Sequence, residues 1–251
     1  MARDDFAVTA SANTAAIAKS LGDLADKQIP FATANALTAI AQRIKAGQVK
    51  VMKDRLDRPT PFTLNSLYVK AARKTKLEAR VWFKDYASKG TPAGKYMQPA
   101  VYGGAGKQKR FERALVARGL MGDDQHAIPV SSVARDSYGN VPRGLYVKIL
   151  SGLKAFGQQG YDANATDSRR SQRKGNAARY FVATIDGMTG IWERRKSAFG
   201  DGAAPLFVFT DSSPKYRVRV PFFKIAENIH KANYEKEFTV ALTHAIATAK
   251  K

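Results

Sequence analysis

Cysteine is absent from this 251-residue chain, which excludes disulfides and thiolate metal sites. Histidine is nearly absent: His126, His230 and His244 are the only three. They are scattered and form no HExxH or His/carboxylate pairing, so they read as surface or helix-face residues, and no metal or other cofactor is expected. Long apolar runs are missing too. No window of about 18 residues is apolar and free of charge, so no membrane-spanning helix is expected. The first residues, MARDDFAVTASANTAAIAKSL, carry Asp4 and Asp5 and lack an uninterrupted apolar core, unlike a secretory signal. A soluble protein made in the cytoplasm is the expectation. Acidic residues are scarce, with 21 Asp and Glu against 42 Lys and Arg, a formal net charge of +21. Such an excess repels itself and implies an anionic partner: nucleic acid, an acidic protein surface or a membrane face.

What is present is an ordinary globular composition, 44% hydrophobic and 10% aromatic, in a chain long enough to bury a core. Residues 12–56 are alanine-rich and helical by pattern, divided by Pro30. Ile17, Leu21 and Leu24 repeat before it. Ala34, Leu37, Ile40, Ala41, Ile44, Gln48 and Val51 form one stripe after it. Pro30 suits the first turn of a second helix, Gly47 is an interior weak point, and Pro59 and Pro61 end the run. Alternation then predicts strands in LNSLYVKAA and KLEARVWFKDYA, with Leu77, Ala79, Val81 and Phe83 on one face and residues 71–76 as the connection.

Between Gly90 and Gly106 glycine and proline predict an irregular arm with a helical turn near Tyr96. Residues 107–118 read as a helix capped by Gly119, 122–144 as a loop with short extended pieces, and 144–157 as a helix. The polar stretch 158–178 reads as a long basic loop. Three strands, 179–186, 190–196 and 205–211, form a meander with turns at DGMTG and FGDGAAP. The last helix begins near Pro221, with Ile225, Ile229, Ala232, Phe238, Ala241, Leu242, Ala245 and Ile246 as its apolar face. No internal repeat and no sharp composition break appears.

The stretch YGGAGKQKRFERAL, residues 102–115, invites comparison with a phosphate-binding loop. It fails as a Walker A motif: Gln108 stands where Ser or Thr would hold Mg²⁺, and Val101 stands where the opening glycine belongs. It also fails as GxGxxG. It reads as a glycine hinge (Gly103, Gly104, Gly106) before a basic helix, although exposed helix N-terminal amides could meet a phosphate. The carboxylate pairs Asp4-Asp5, Asp123-Asp124 and Glu235/Glu237 lie among lysines and read as solvated charge. Ser131, Ser132 and Ser151 lack a nucleophile elbow. No catalytic residue is identified and no enzymatic activity is expected. Basic character is the stronger signal, with eleven Lys and Arg against three acids over residues 42–80. No zinc-finger, RNP or basic-zipper signature indicates base readout. Arg169, Arg170, Arg173 and Lys174 are the candidate cations for contact with DNA or a partner protein.

The ends of the chain carry a resemblance. PFATANALTAIAQRIKAGQVKVM opens the domain, and SPKYRVRVPFFKIAENIHKANYEKEFTVALTHAI runs from a basic strand through Pro221 into an amphipathic helix. Together they resemble the minor tail protein Z family of tailed phages, and more broadly phage tail-completion and head–tail joining proteins. The middle, KGTPAGKYMQPAVYGGAGKQKRFERALVARGLM with DSYGNVPRGLYVKILSGL, resembles a block in uncharacterised phage and prophage proteins. The chain is longer than that tail family, mainly through this block.

The resemblance implies a virion structural protein of the neck or upper tail, made in the host cytoplasm. It would form a homo-oligomeric ring around the DNA channel. Its partners would be itself, the portal or connector, tail-tube or nozzle proteins, and packaged DNA held without sequence specificity, with no membrane. Lys107, Lys109, Arg110 and Phe111 are the expected assembly contacts. A phage-encoded nucleic-acid-binding protein outside the virion is the alternative. The expected fold is α+β: a single domain over 1–251 with long N-terminal helices, a mainly antiparallel sheet, a C-terminal amphipathic helix, an inserted block at 90–157 and the basic loop at 158–178.

Overall fold

The computed structural model of the chain describes residues 7–11, 23–88, 90–155, 168–174, 176–197 and 200–248. In chain order the elements begin with β1 (Ala7–Ser11), α1 (Asp23–Arg55), α2 (Pro61–Leu64), β2 (Leu67–Lys70) and β3 (Glu78–Phe83). Then come α3 (Ala93–Tyr96), α4 (Gln98–Tyr102), β4 (Gly104–Ala105), α5 (Arg110–Val116), β5 (His126–Pro129) and α6 (Arg143–Gly152). The rest are α7 (Arg169–Lys174), α8 (Asn176–Arg179), β6 (Tyr180–Ile185), β7 (Met188–Ser197), β8 (Gly200–Thr210), β9 (Lys215–Tyr216) and α9 (Phe222–Ala247). The fold is α+β, with long helices near both ends of the chain and antiparallel sheets. Among the described residues no helix is long and apolar enough to cross a membrane.

The chain divides into two compact units. One holds the described residues up to Gly104 and those from Tyr216; the other holds those of Ala105–Lys215. This corrects the expected single domain with an insertion at 90–157. Met97 and Val101, read as part of that insertion, bury themselves in the core of the first unit. The strand meander instead shares a core with α5 and α6. Composition does not change at these boundaries, because each unit closes its own core with the same kinds of residue.

In the first unit α1 runs for 33 residues, about 50 Å. Pro30 lies inside it and does not divide it. Buried Ile29, Ala32 and Thr33 flank the proline, and this tertiary packing outweighs the unfavourable local propensity. Ile17 and Leu21 lie outside the described residues. The expected stripe is buried, except that Met52 takes the innermost place instead of Val51.

The three-stranded sheet has the order β1–β3–β2. Ala79, Val81 and Phe83 face inward as alternation predicts, with Leu67 opposite Phe83 and Val69 opposite Val81. The strand β1 was not anticipated; it pairs Ala10 with Ala79 and Val8 with Val81.

α9 packs along α1. A Cβ on Gly47 would sit 2.4 Å from Ile229 Cδ1, so the glycine read as a weak point makes room for a side chain of α9. Gln48 Nε2 donates to the Phe222 carbonyl at 2.6 Å, and Arg43 Nε donates to Glu237 Oε1 at 2.7 Å. The buried line of α9 is Phe222, Ala226 and Ala245, with Ile229 and Tyr234 half-buried; Ala232 and Ile246, expected inside, are exposed.

The second unit is a four-stranded antiparallel sheet of order β5–β8–β7–β6, covered by α5 and α6. Asp186-Gly187, both at positive φ, make the two-residue turn between β6 and β7. The second expected turn, FGDGAAP, is mostly strand: Gly200–Ala204 pair with Glu193–Ser197, and the ladder offsets the poor strand propensity of Gly and Ala. Register shifts between Ile191 and Trp192, opposite Pro205, which has no N–H to donate. Phe111, Tyr146 and Phe207 form a ring cluster with centroids 4.8–5.6 Å apart.

Gly190 gives a test of the β7–β8 contact. A Cβ there would fall 2.1 Å from the Phe207 carbonyl oxygen, which is backbone and cannot swing aside. Gly190→Ala should lower stability by about 1–3 kcal/mol in urea unfolding. Unchanged stability would mean that β7 can move off β8 at no cost.

Candidate anion-binding face

Both units are cationic: the second carries 18 Lys and Arg against 10 Asp and Glu, the first 24 against 11. What separates a functional cation from a structural one is whether it is already paired. On β7, Glu193 is buried and binds Arg179 at 2.6 Å and Arg195 at 3.3 Å. Arg194 lies over the Phe181 ring at 4.4 Å and donates to the Ala178 carbonyl. These arginines hold the sheet together and are not free for a ligand.

α5 is different. Its inward side carries Phe111, Glu112 and Leu115, all buried. Glu112 occupies the third helical position, where a carboxylate can turn back to the helix start. One oxygen accepts from the Lys109 backbone N–H at 2.5 Å and the other from the Ala127 N–H at 3.1 Å. His126 Nδ1 lies 3.7 Å from the first of these oxygens. One buried carboxylate thus ties the start of α5 to β5. Burial foremost, and the Glu112 charge after it, push the Tyr146 phenol above its ordinary range, while Arg135 pulls the other way.

The far end is closed by Gly119 at φ +65, with its N–H on the Val116 carbonyl and the Leu120 N–H on the Leu115 carbonyl. This is the paired glycine cap that the sequence predicts.

With both ends fixed, the outer side of α5 is fixed too. Arg110, Arg113, Ala114, Ala117 and Arg118, joined by Ala155 after α6, line an open recess of about 600 Å³. Among the described residues no acidic side chain is in its lining. Among the described residues no carboxylate pairs with Arg110 or Arg113.

The sequence-predicted residues distribute unevenly around this face. Lys107, Lys109 and Arg110 are exposed, as an assembly or ligand contact requires. Phe111 is not: it is 8% exposed and stacked against Tyr146 and Phe207, so its role as an assembly contact is corrected to that of a core residue. Arg169, Arg170, Arg173 and Lys174 lie in α7, not in a loop, and a second short helix, α8, spans Asn176–Arg179. Arg, Gln and Lys are good helix formers, and lack of core residues did not prevent short helices. Arg169 and Arg173 are exposed. Residues 158–167 of the expected basic loop lie outside the described residues.

Gly103 and Gly104 adopt φ +72 and +97, and a Cβ on Gly103 would meet the Tyr216 carbonyl at 3.1 Å. They lie where the chain passes from the first unit to the second. Gly106 has no such constraint: its N–H donates to Pro214 O at 2.7 Å and its carbonyl accepts from Ser213 Oγ. Gln108 Nε2 donates to the carbonyls of Asp123 and Gln125. The amides of Gly106 and Lys109, which a phosphate cradle would need, are therefore already engaged.

Arg113 and Arg118 are not among the sequence-predicted residues. For Arg113 a signal is present: it stands three residues after Arg110 and shares a helix face with it. No family model, curated protein or solved structure matches the chain.

The Glu112 lock has a measurable consequence. Glu112→Ala leaves the buried Ala127 N–H and the partly buried Lys109 N–H without their acceptor and should lower stability by about 3 kcal/mol in urea unfolding, given about 1.5–3 kcal/mol for a bond to a charged group. Glu112→Gln keeps one acceptor oxygen and should fall between wild type and Glu112→Ala. Equal stability of all three would remove Glu112 from this role.

Proposed function

We propose that this chain is a virion structural protein at the head–tail junction or upper tail of a tailed phage. In this reading copies of the chain form a ring around the DNA channel and join or complete the tail, touching the portal or connector on one side and tail-tube or nozzle proteins on the other. Assembly, not catalysis, is its work.

One observation carries the reading beyond the resemblance of the chain ends and middle block. The C-terminal segment leaves Tyr216, Val218, Phe223, Val240 and Ile246 each between 46% and 58% exposed, in a chain with a net charge of +21. Large apolar side chains without cover favour a protein neighbour. The net positive charge favours an anion as a second partner. A ring enclosing DNA meets both demands with one kind of subunit.

The unpaired arginines of α5 also favour a second reading, a phage-encoded nucleic-acid-binding protein that works outside the particle. Mass spectrometry of purified particles separates the two. The virion reading expects the chain in stoichiometric copies, and expects the purified protein to scatter light as a multiple of 27.4 kDa. Val240→Glu, at an exposed position, should reduce that mass without unfolding the chain. Absence from particles together with a stable monomer would reject the virion reading and favour the second.

A further inference from the structure

We infer that the recess on the outer side of α5 binds phosphates of a nucleic-acid strand, through Arg110 and Arg113. The inference rests on the geometry of the second unit and not on the virion assignment.

The lining is selective by its chemistry. Arg110 and Arg113 line a space of about 600 Å³, and among the described residues no carboxylate lines it. Each guanidinium offers a planar fork of donors suited to phosphate oxygens. The walls also include the methyl groups of Ala114, Ala117 and Ala155. Short side chains let a sugar–phosphate backbone approach the helix closely. Among the described lining residues there is no aromatic ring to stack a base and no Asn, Gln, Ser or Thr side chain to read one. A contact from guanidinium to backbone phosphate carries no sequence preference.

Arg110 and Arg113 stand three residues apart on α5, so they are neighbours on one helix face. Two cations side by side suit neighbouring phosphates of one strand. The pair is held ready before the ligand arrives, because Glu112 anchors the start of α5 and Gly119 closes its end. Arg110 and Arg113 need break no ion pair within the described residues to bind.

The test measures binding of the full chain to a random-sequence DNA duplex by fluorescence anisotropy across a salt series. The slope of log K against log salt is compared for wild type and the Arg110→Ala/Arg113→Ala variant. Loss of two phosphate contacts should reduce the magnitude of the slope by about two, since each contact contributes about 0.9. Ala117→Glu provides a second variant at an exposed position. It places a carboxylate among the arginines and should weaken DNA binding at least tenfold with unchanged urea unfolding. Wild-type slope in the double variant, or wild-type affinity in Ala117→Glu, would overturn the inference. So would tight binding of inorganic phosphate that depends on Arg110 and Arg113 while DNA affinity does not. Particle mass spectrometry is independent of this result, so failure of the virion reading and failure of the recess are distinguishable.

Discussion

The first unit depends on the packing of α9 along α1. The two helices come from opposite ends of the described chain, so their contact forces the polypeptide to return after everything between them has been built. Gly47 makes the approach possible by offering no side chain where Ile229 lies. Phe222 fills the space beside Phe83, with ring centroids 5.4 Å apart, and its carbonyl accepts from buried Gln48. Each fully buried Phe, Leu or Ile here contributes about 1.5–3 kcal/mol. The sheet β1–β3–β2 closes the same core from another side through Leu67, Ala79, Val81 and Phe83. Once the ends must meet, residues 105–215 become a departure from one unit and a return to it, free to build a core of their own.

That second core is organised around a different constraint, the placement of charge. In a unit with 18 basic and 10 acidic residues, two buried carboxylates do structural work. Glu193 ties two arginines to the sheet. Glu112 ties no arginine at all; it accepts from backbone N–H groups. α5 is anchored by backbone bonds, and among the described residues Arg110 and Arg113 pair with no carboxylate. Their charge is turned outward into a recess floored by alanines. The same seven-residue helix therefore meets a dry core on one side and a cationic hollow on the other.

Periodicity made much of the fold legible. The stripe of α1, the alternation of β3, the glycine cap of α5 and the helix beginning near Pro221 all follow from local pattern and were expected from it. What pattern could not reveal depends on distant partners. Pro30 sits within a continuous helix because buried neighbours hold both sides of it. Gly200–Ala204 become strand because β7 supplies the ladder. β1 is recognised through its pairing with β3.

At the candidate site the basic character of residues 107–118 was legible, but the assignment of individual residues was not. Phe111, expected as a contact, is core, and nothing in the local pattern marks Glu112. Only its burial and its two backbone donors distinguish it. Arg113 and Arg118 gain meaning from the alanines between them, which matter for the room they leave.

The central claim is that the surplus charge on α5 faces outward to meet a polyanion. Arginine-directed chemical modification, read by mass spectrometry with and without duplex DNA, tests it at single residues. The account predicts that DNA protects Arg110 and Arg113 strongly. Equal modification of these two residues in the presence and absence of saturating DNA would contradict it.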